Sequence, residues 1–233
     1  AMALSFVSAY DTHRMVSISQ TVIFDLDGTI LNTISDLGNA CNAALVAYGY
    51  PTHTLTELTG MVGNGINKLL ERALPLENRC EAEVMRLRQA FVAHYNEHCC
   101  EQTYPYPDMR NTLLQLKQRG YRLAVASNKY NQATQHIVAH YYPSVFEVVV
   151  GEQTGIPRKP ETVMVDTILG RMGLNRQNLA LFVGDSMVDI DTARGVGVKV
   201  AVSTWGFVAP EILRAAHPDY MLRSPRDLLD ILP

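Results

Sequence analysis

The chain has 233 residues, 47% of them hydrophobic, which is enough for one large domain or two smaller ones with a substantial core. A net charge of -3, a pI near 6.2 and scattered Lys and Arg give no electrostatic basis for binding nucleic acid, and no apolar run approaches the ~20 residues that cross a bilayer. The four cysteines, Cys41, Cys80, Cys99 and Cys100, lack C-x-x-C spacing and fit reduced thiols in a cytoplasm.

Residues 1–14 are mildly apolar at their start but have no basic head or sustained hydrophobic centre, so they read as an unstructured or expression-derived leader, with Met15 a candidate natural start. The run Val22-Ile23-Phe24 predicts a strand whose tip carries Asp25, Asp27, Gly28 and Thr29. Apolar positions 37, 41, 44, 45 and 48 recur at helical spacing, predicting a helix over 35–48 that stops at Gly49. Long stretches rich in Leu, Met, Ala, Arg and Glu predict helices over 57–74 and 78–100. A helix over 108–118 and a strand over 121–126 follow. Alternation continues with helix 131–139, strand 146–150, helix 161–172, strand 179–183, helix 188–194 and strand 199–202, then weaker elements near 220 and 225–231. Alternating strands and helices predict an α/β fold, a doubly wound parallel sheet, with a helical insert after the first strand.

Paired carboxylates at a strand tip suit a divalent cation, because like charges held close need a counter-ion. Ser127-Asn128, Lys159-Pro160 and Gly184-Asp185-Ser186-Met187-Val188-Asp189 also follow strand-like runs or lie in the loops between them. Strand ends are where open α/β sheets gather ligands. In order, D-x-D-G-T at 25–29, the hydroxyl of Ser127, Lys159 and G-D-x-x-x-D at 184–189 resemble the four motifs of the haloacid dehalogenase superfamily of phosphohydrolases, from about Thr21 to the C-terminus.

That resemblance implies a Rossmann-like core made of 1–34 and 105–233 and an α-helical cap domain made of 35–104, left through Tyr104-Pro105-Tyr106-Pro107. It implies that Asp25 is the nucleophile and Asp27 the general acid and base, and that Ser127 and Lys159 hold the transferring phosphoryl group. Asp25, Asp185 and the main-chain carbonyl of Asp27 would hold Mg2+, with Asp189 orienting from behind. Main-chain N–H groups around Gly28, Thr29 and Asn128 complete the expected phosphate cradle. Superfamily dehalogenases replace the second Asp, so Asp27 favours phosphoryl chemistry. Asn32-Thr33 and Lys159-Pro160-Glu161-Thr162 depart from the usual D-S and K-P-x-P without touching these roles.

The stretch Met61-Val62-Gly63-Asn64-Gly65-Ile66-Asn67-Lys68 resembles the V-G-N-G loop of phosphoglycolate phosphatases, which makes Gly63, Asn64, Gly65 and Lys68 the candidate substrate-binding residues, with Arg72 a further cation. The implied function is Mg2+-dependent hydrolysis of a small phosphorylated metabolite, with 2-phosphoglycolate the leading substrate. Pyrophosphate or sugar-phosphate hydrolysis, a phosphomutase, and a non-catalytic phosphate-binding regulator are the alternatives. The i,i+4 pairs His94/His98 and His136/His140 lack a third metal ligand in the sequence pattern, and Cys99-Cys100 lacks the following arginine of a phosphate-binding cysteine loop.

Overall fold

The computed structural model describes residues 20–233, so the expected leader lies outside the described residues. A six-stranded sheet forms the centre, built from β1 (Thr21–Phe24), β4 (Arg122–Tyr130), β5 (Val148–Glu152), β6 (Leu179–Gly184), β7 (Val200–Ser203) and β8 (Tyr220–Leu222). Its spatial order is β5-β4-β1-β6-β7-β8 and every pairing is parallel. Successive strands run outward from β1 first to one side and then to the other. Such a reversal leaves a crevice at the carboxyl ends of the central strands, here β4, β1 and β6.

Both faces of the sheet are covered, so its strands are continuously apolar and their alternate residues serve opposite layers. Val22, Phe24, Leu123, Val125, Leu181 and Val183 point to one side, against α1 (Ile34–Ala47), α5 (Met109–Gln118), α6 (Asn131–Tyr141) and α10 (Leu228–Ile231). Ile23, Ala124, Ala126 and Phe182 point to the other, against α7 (Val163–Arg171), α8 (Met187–Val196) and α9 (Pro210–Ala215).

Between β1 and β4 the chain makes α1, α2 (Leu55–Thr59), α3 (Ile66–Ala73) and α4 (Glu81–His98). Two-residue strands β2 (Leu31–Asn32) and β3 (Tyr104–Pro105) pair antiparallel where the chain enters and leaves this helical stretch. The expected helix over 57–74 is broken into α2 and α3. Gly63 and Gly65 have φ of +117° and +82° and turn the chain through a loop there. β4 runs to Tyr130, beyond the expected end at 126, so Ser127 and Asn128 lie in the strand itself.

Candidate active site

The site is assembled by three neighbouring strands and one loop. Asp25 directly follows β1, and its N–H donates to the Val183 carbonyl at 2.8 Å, prolonging the β1–β6 pairing by one residue. Ser127 and Asn128 sit in β4 and Asp185 follows β6, so parallel alignment delivers all three ends to one edge. Lys159 arrives from the loop between β5 and α7. It is fixed to β4 by a reciprocal pair: its N–H donates to Asn128 Oδ1 at 2.9 Å, and Asn128 Nδ2 donates to the Lys159 carbonyl at 3.0 Å. Asn128 therefore positions Lys159. Asp25, Asp27, Ser127, Asn128, Lys159 and Asp185 line a single cleft.

Close approach at the floor of this cleft requires glycine. Gly28 has φ +80°, and a Cβ there would lie 2.2 Å from Asp185 Oδ2. A Cβ on Gly184 would lie 2.2 Å from Asp189 Cγ, so this position allows α8 to start against the end of β6.

Lys159 is buried, and its ammonium donates to Asp25 Oδ1 at 2.8 Å and to Asp189 Oδ1 at 2.7 Å. Burial alone would lower its pKa, but the two carboxylates outweigh that and hold the ammonium charged. Asp189 Oδ2 accepts from the Asp185 N–H, the Ser186 N–H and Ser186 Oγ, which returns the favour as N-cap of α8. Both oxygens of Asp189 are thus engaged by protein donors. Asp185 Oδ2 accepts from the Phe207 N–H at 2.7 Å.

Oxygens of Asp25, Asp185 and Asp189 all lie within 4.8 Å of one another, facing one lysine. Burial first, and the neighbouring carboxylates next, push Asp185 well above the ordinary carboxylate range. Burial also lifts Asp25 to about 7, Asp189 adds to the rise, and Lys159 opposes it. A buried, all-oxygen set with more negative than positive charge is the donor chemistry of a hard divalent cation.

Asp27 stands on the cleft wall beside Asp25. Thr33 Oγ1 donates to its Oδ1 at 2.6 Å, and Lys129 Nζ pairs with the same oxygen at 3.0 Å. Thr33, expected to leave the catalytic roles untouched, is thus bonded to Asp27 itself. Nothing in the sequence marks Lys129 or Arg158 as site residues beyond their places next to Ser127-Asn128 and Lys159. Arg158 Nη1 donates to the Asn64 carbonyl at 2.9 Å, tying the loop before α3 to the core.

The residues expected to bind substrate divide. Gly63 and Gly65 line the cleft. Asn64 spends its side chain on Arg72 Nη2, and Gly28 and Thr29, expected to cradle phosphate, are outside the cleft lining with their N–H groups donating to the Leu31 and Leu26 carbonyls. Lys68 does not reach the cleft: its side chain is 50% exposed and its Nζ sits 2.6 Å from Glu71 Oε2, because the helical turn of α3 turns that position outward. Arg72 is likewise committed to the Met61 carbonyl and to Asn64.

The family model of the haloacid dehalogenase-like hydrolases matches residues 22–203. A phosphoglycolate phosphatase of Aliivibrio fischeri is 32% identical over 217 residues, covering 91% of this chain and 95% of its own. That of Aquifex aeolicus is 33% identical over 214 residues, with 91% and 96% covered. A crystal structure of a candidate phosphoglycolate phosphatase from Lactobacillus delbrueckii subsp. bulgaricus superposes with a TM-score of 0.85 at 30% identity, covering 91% of this chain and 98% of that one.

Proposed function

The chain belongs to the haloacid dehalogenase-like hydrolases and is a phosphatase, and on that premise we propose that it hydrolyses 2-phosphoglycolate by way of an aspartyl phosphate on Asp25. The observation that carries the mechanism is the meeting of Asp25, Asp27, Ser127, Lys159 and Asp185 in one cleft. The substrate follows from the relatives of similar length, which are phosphoglycolate phosphatases.

A carboxylate oxygen of Asp25 attacks phosphorus as the bond from phosphorus to the leaving oxygen breaks. Asp27 gives its proton to that oxygen, releasing the alcohol, and then takes a proton from the water that attacks the aspartyl phosphate, which frees inorganic phosphate and restores Asp25. Both partners of Asp27, Thr33 and Lys129, hold Oδ1, which leaves Oδ2 for the proton transfers. Ser127 Oγ and the Lys159 ammonium meet the phosphoryl oxygens, where negative charge develops. Asp25, Asp185 and the carbonyl of Asp27 would hold Mg2+. When bound, the ion supplies positive charge that offsets the buried carboxylates and the phosphoryl group.

The elements α1–α4 form, in this reading, a cap domain over the cleft, with Gly63 and Gly65 of its loop facing the core site. Closing such a cap excludes water from the reaction. Phosphate release in the presence of Mg2+, measured across 2-phosphoglycolate, pyrophosphate, hexose phosphates and nucleotides, tests the function. A kcat/KM for 2-phosphoglycolate of ~10⁴ M⁻¹s⁻¹ or more, well above the rest, is expected. A flat profile would remove the substrate and leave the phosphatase.

A further inference from the structure

Resting on the phosphoglycolate reading, we propose that Lys129 is the specificity-determining residue that grips the carboxylate of the leaving group. In 2-phosphoglycolate that carboxylate is attached to the carbon bearing the leaving oxygen. The cation that recognises it must therefore stand next to the acid that protonates the leaving oxygen. Lys129 Nζ is 3.0 Å from Asp27 Oδ1.

Charge in the cleft singles out the same residue. Among the described residues lining it, the cations are Lys129 and Lys159, and Lys159 is held by Asp25 and Asp189 at the phosphoryl end. Lys68, Arg72 and Arg158 are not in the lining. An ammonium has three N–H donors. Two of those on Lys129 are taken, by Asp27 and by the hydroxyl of Tyr95 at 2.9 Å. The side chain is only 4% exposed, and a buried donor without an acceptor is costly. An incoming carboxylate oxygen completes the set.

The lysine is also held in place. Its Nζ lies 4.6 Å from the centre of the Tyr95 ring, and Tyr95 stacks on Phe91 at 5.4 Å and meets Tyr130 edge-on at 6.4 Å. Tyr95 and Phe91 belong to α4, so the helical insert takes part in leaving-group selection without supplying the charge.

The test compares 2-phosphoglycolate with ethyl phosphate, which keeps the two-carbon skeleton and replaces the carboxylate by methyl, in the wild type and in Lys129→Met. The wild type is expected to prefer 2-phosphoglycolate, and absence of that preference would remove the substrate reading itself. With the preference established, Lys129→Met should reduce it by roughly 10- to 100-fold, the worth of one charge-assisted hydrogen bond, chiefly through KM. Both substrates will lose some rate, since Asp27 loses a partner, so the ratio is the readout. An unchanged ratio, with both substrates falling together, would show that Lys129 serves Asp27 alone and overturn the proposal. Lys129→Arg should retain most of the preference. If Lys129→Met does not fold, Lys129→Gln, which can still donate to Asp27 and Tyr95, reads the same ratio.

Discussion

Asp25 bears opposing demands: in its proposed role as nucleophile it must be ionised, yet burial and Asp189 lift its pKa to about 7 while Lys159 pulls it down. Its folded value lies above its unfolded one, so it favours the folded state below the ordinary carboxylate range and loses that contribution as pH rises through about 7. A divalent cation reverses the balance by favouring the ionised form. The rise in melting temperature on adding Mg2+ should therefore be larger at about pH 8 than at about pH 5.5. An equal rise at both, followed by differential scanning fluorimetry, would detach Mg2+ from this carboxylate set. Asp25→Asn removes the proposed nucleophile while keeping the shape, and should lower kcat by roughly 10⁴-fold or more with the fold intact. Appreciable turnover by the variant in a phosphate-release assay would remove Asp25 from that role. Asp189 is different in kind, being fully buried and bonded to Lys159, Ser186 and the Asp185 N–H. Asp189→Ala leaves a buried ammonium short of one partner and removes the N3 half of the capping box at Ser186, and should cost about 3–5 kcal/mol in urea unfolding.

At the scale of elements, the decisive joint is where the helical insert meets the sheet. Asp36, 2% exposed in the first turn of α1, accepts from the Gln102 N–H, the Thr103 N–H and Thr103 Oγ1. It clasps the chain leaving the insert to the chain entering it, beside the β2–β3 ribbon. Asp36→Ala strands these donors and should destabilise by about 2–4 kcal/mol, seen as a lower urea midpoint with an unchanged slope. A loss below ~1 kcal/mol would mean that the ribbon alone holds the joint. This joint was invisible in the sequence, since two-residue strands have no periodicity and Asp36 sits 66 positions from Gln102. The long strands and helices were legible because both faces of the sheet are buried and their apolar runs are uninterrupted. The carboxylates, Ser127 and Lys159 were legible as ordered motifs. Lys68 misled because it follows a suggestive glycine loop, whereas only the turn of α3 decides which way its side chain faces. Lys129 escaped because nothing local separates a buried lysine in a strand from a solvated one; its partners Asp27 and Tyr95 are 102 and 34 positions away.

Taken whole, the molecule has a helical insert that is contiguous with the sheet through apolar contacts. One cluster of buried side chains runs from Leu45, Leu58, Leu70, Leu87 and Phe91 in the insert, through Leu31 and Met109, to Phe24, Val125 and Leu181 in the sheet. Polar ties reinforce it, from Arg158 to the Asn64 carbonyl and from Lys129 to Tyr95. A cap that opens and closes, as proposed, needs a weak inter-unit surface at the cleft; Gly63 and Gly65 place no side chain there, while Met61, Val62 and Ile66 beside them pack into the shared apolar cluster. The α1–α4 packing needs the opposite, because those helices bury their stripes partly on one another and partly on the base of the core. Cap motion should therefore be a hinge at the β2–β3 ribbon, with the shared apolar base intact. Calorimetry distinguishes this from two loosely tethered units. A shared base predicts one cooperative transition, with calorimetric and van't Hoff enthalpies equal and near about 150 kcal/mol for a chain of this size. Two resolved transitions, the smaller abolished by Asp36→Ala, would show instead that the insert folds and melts by itself.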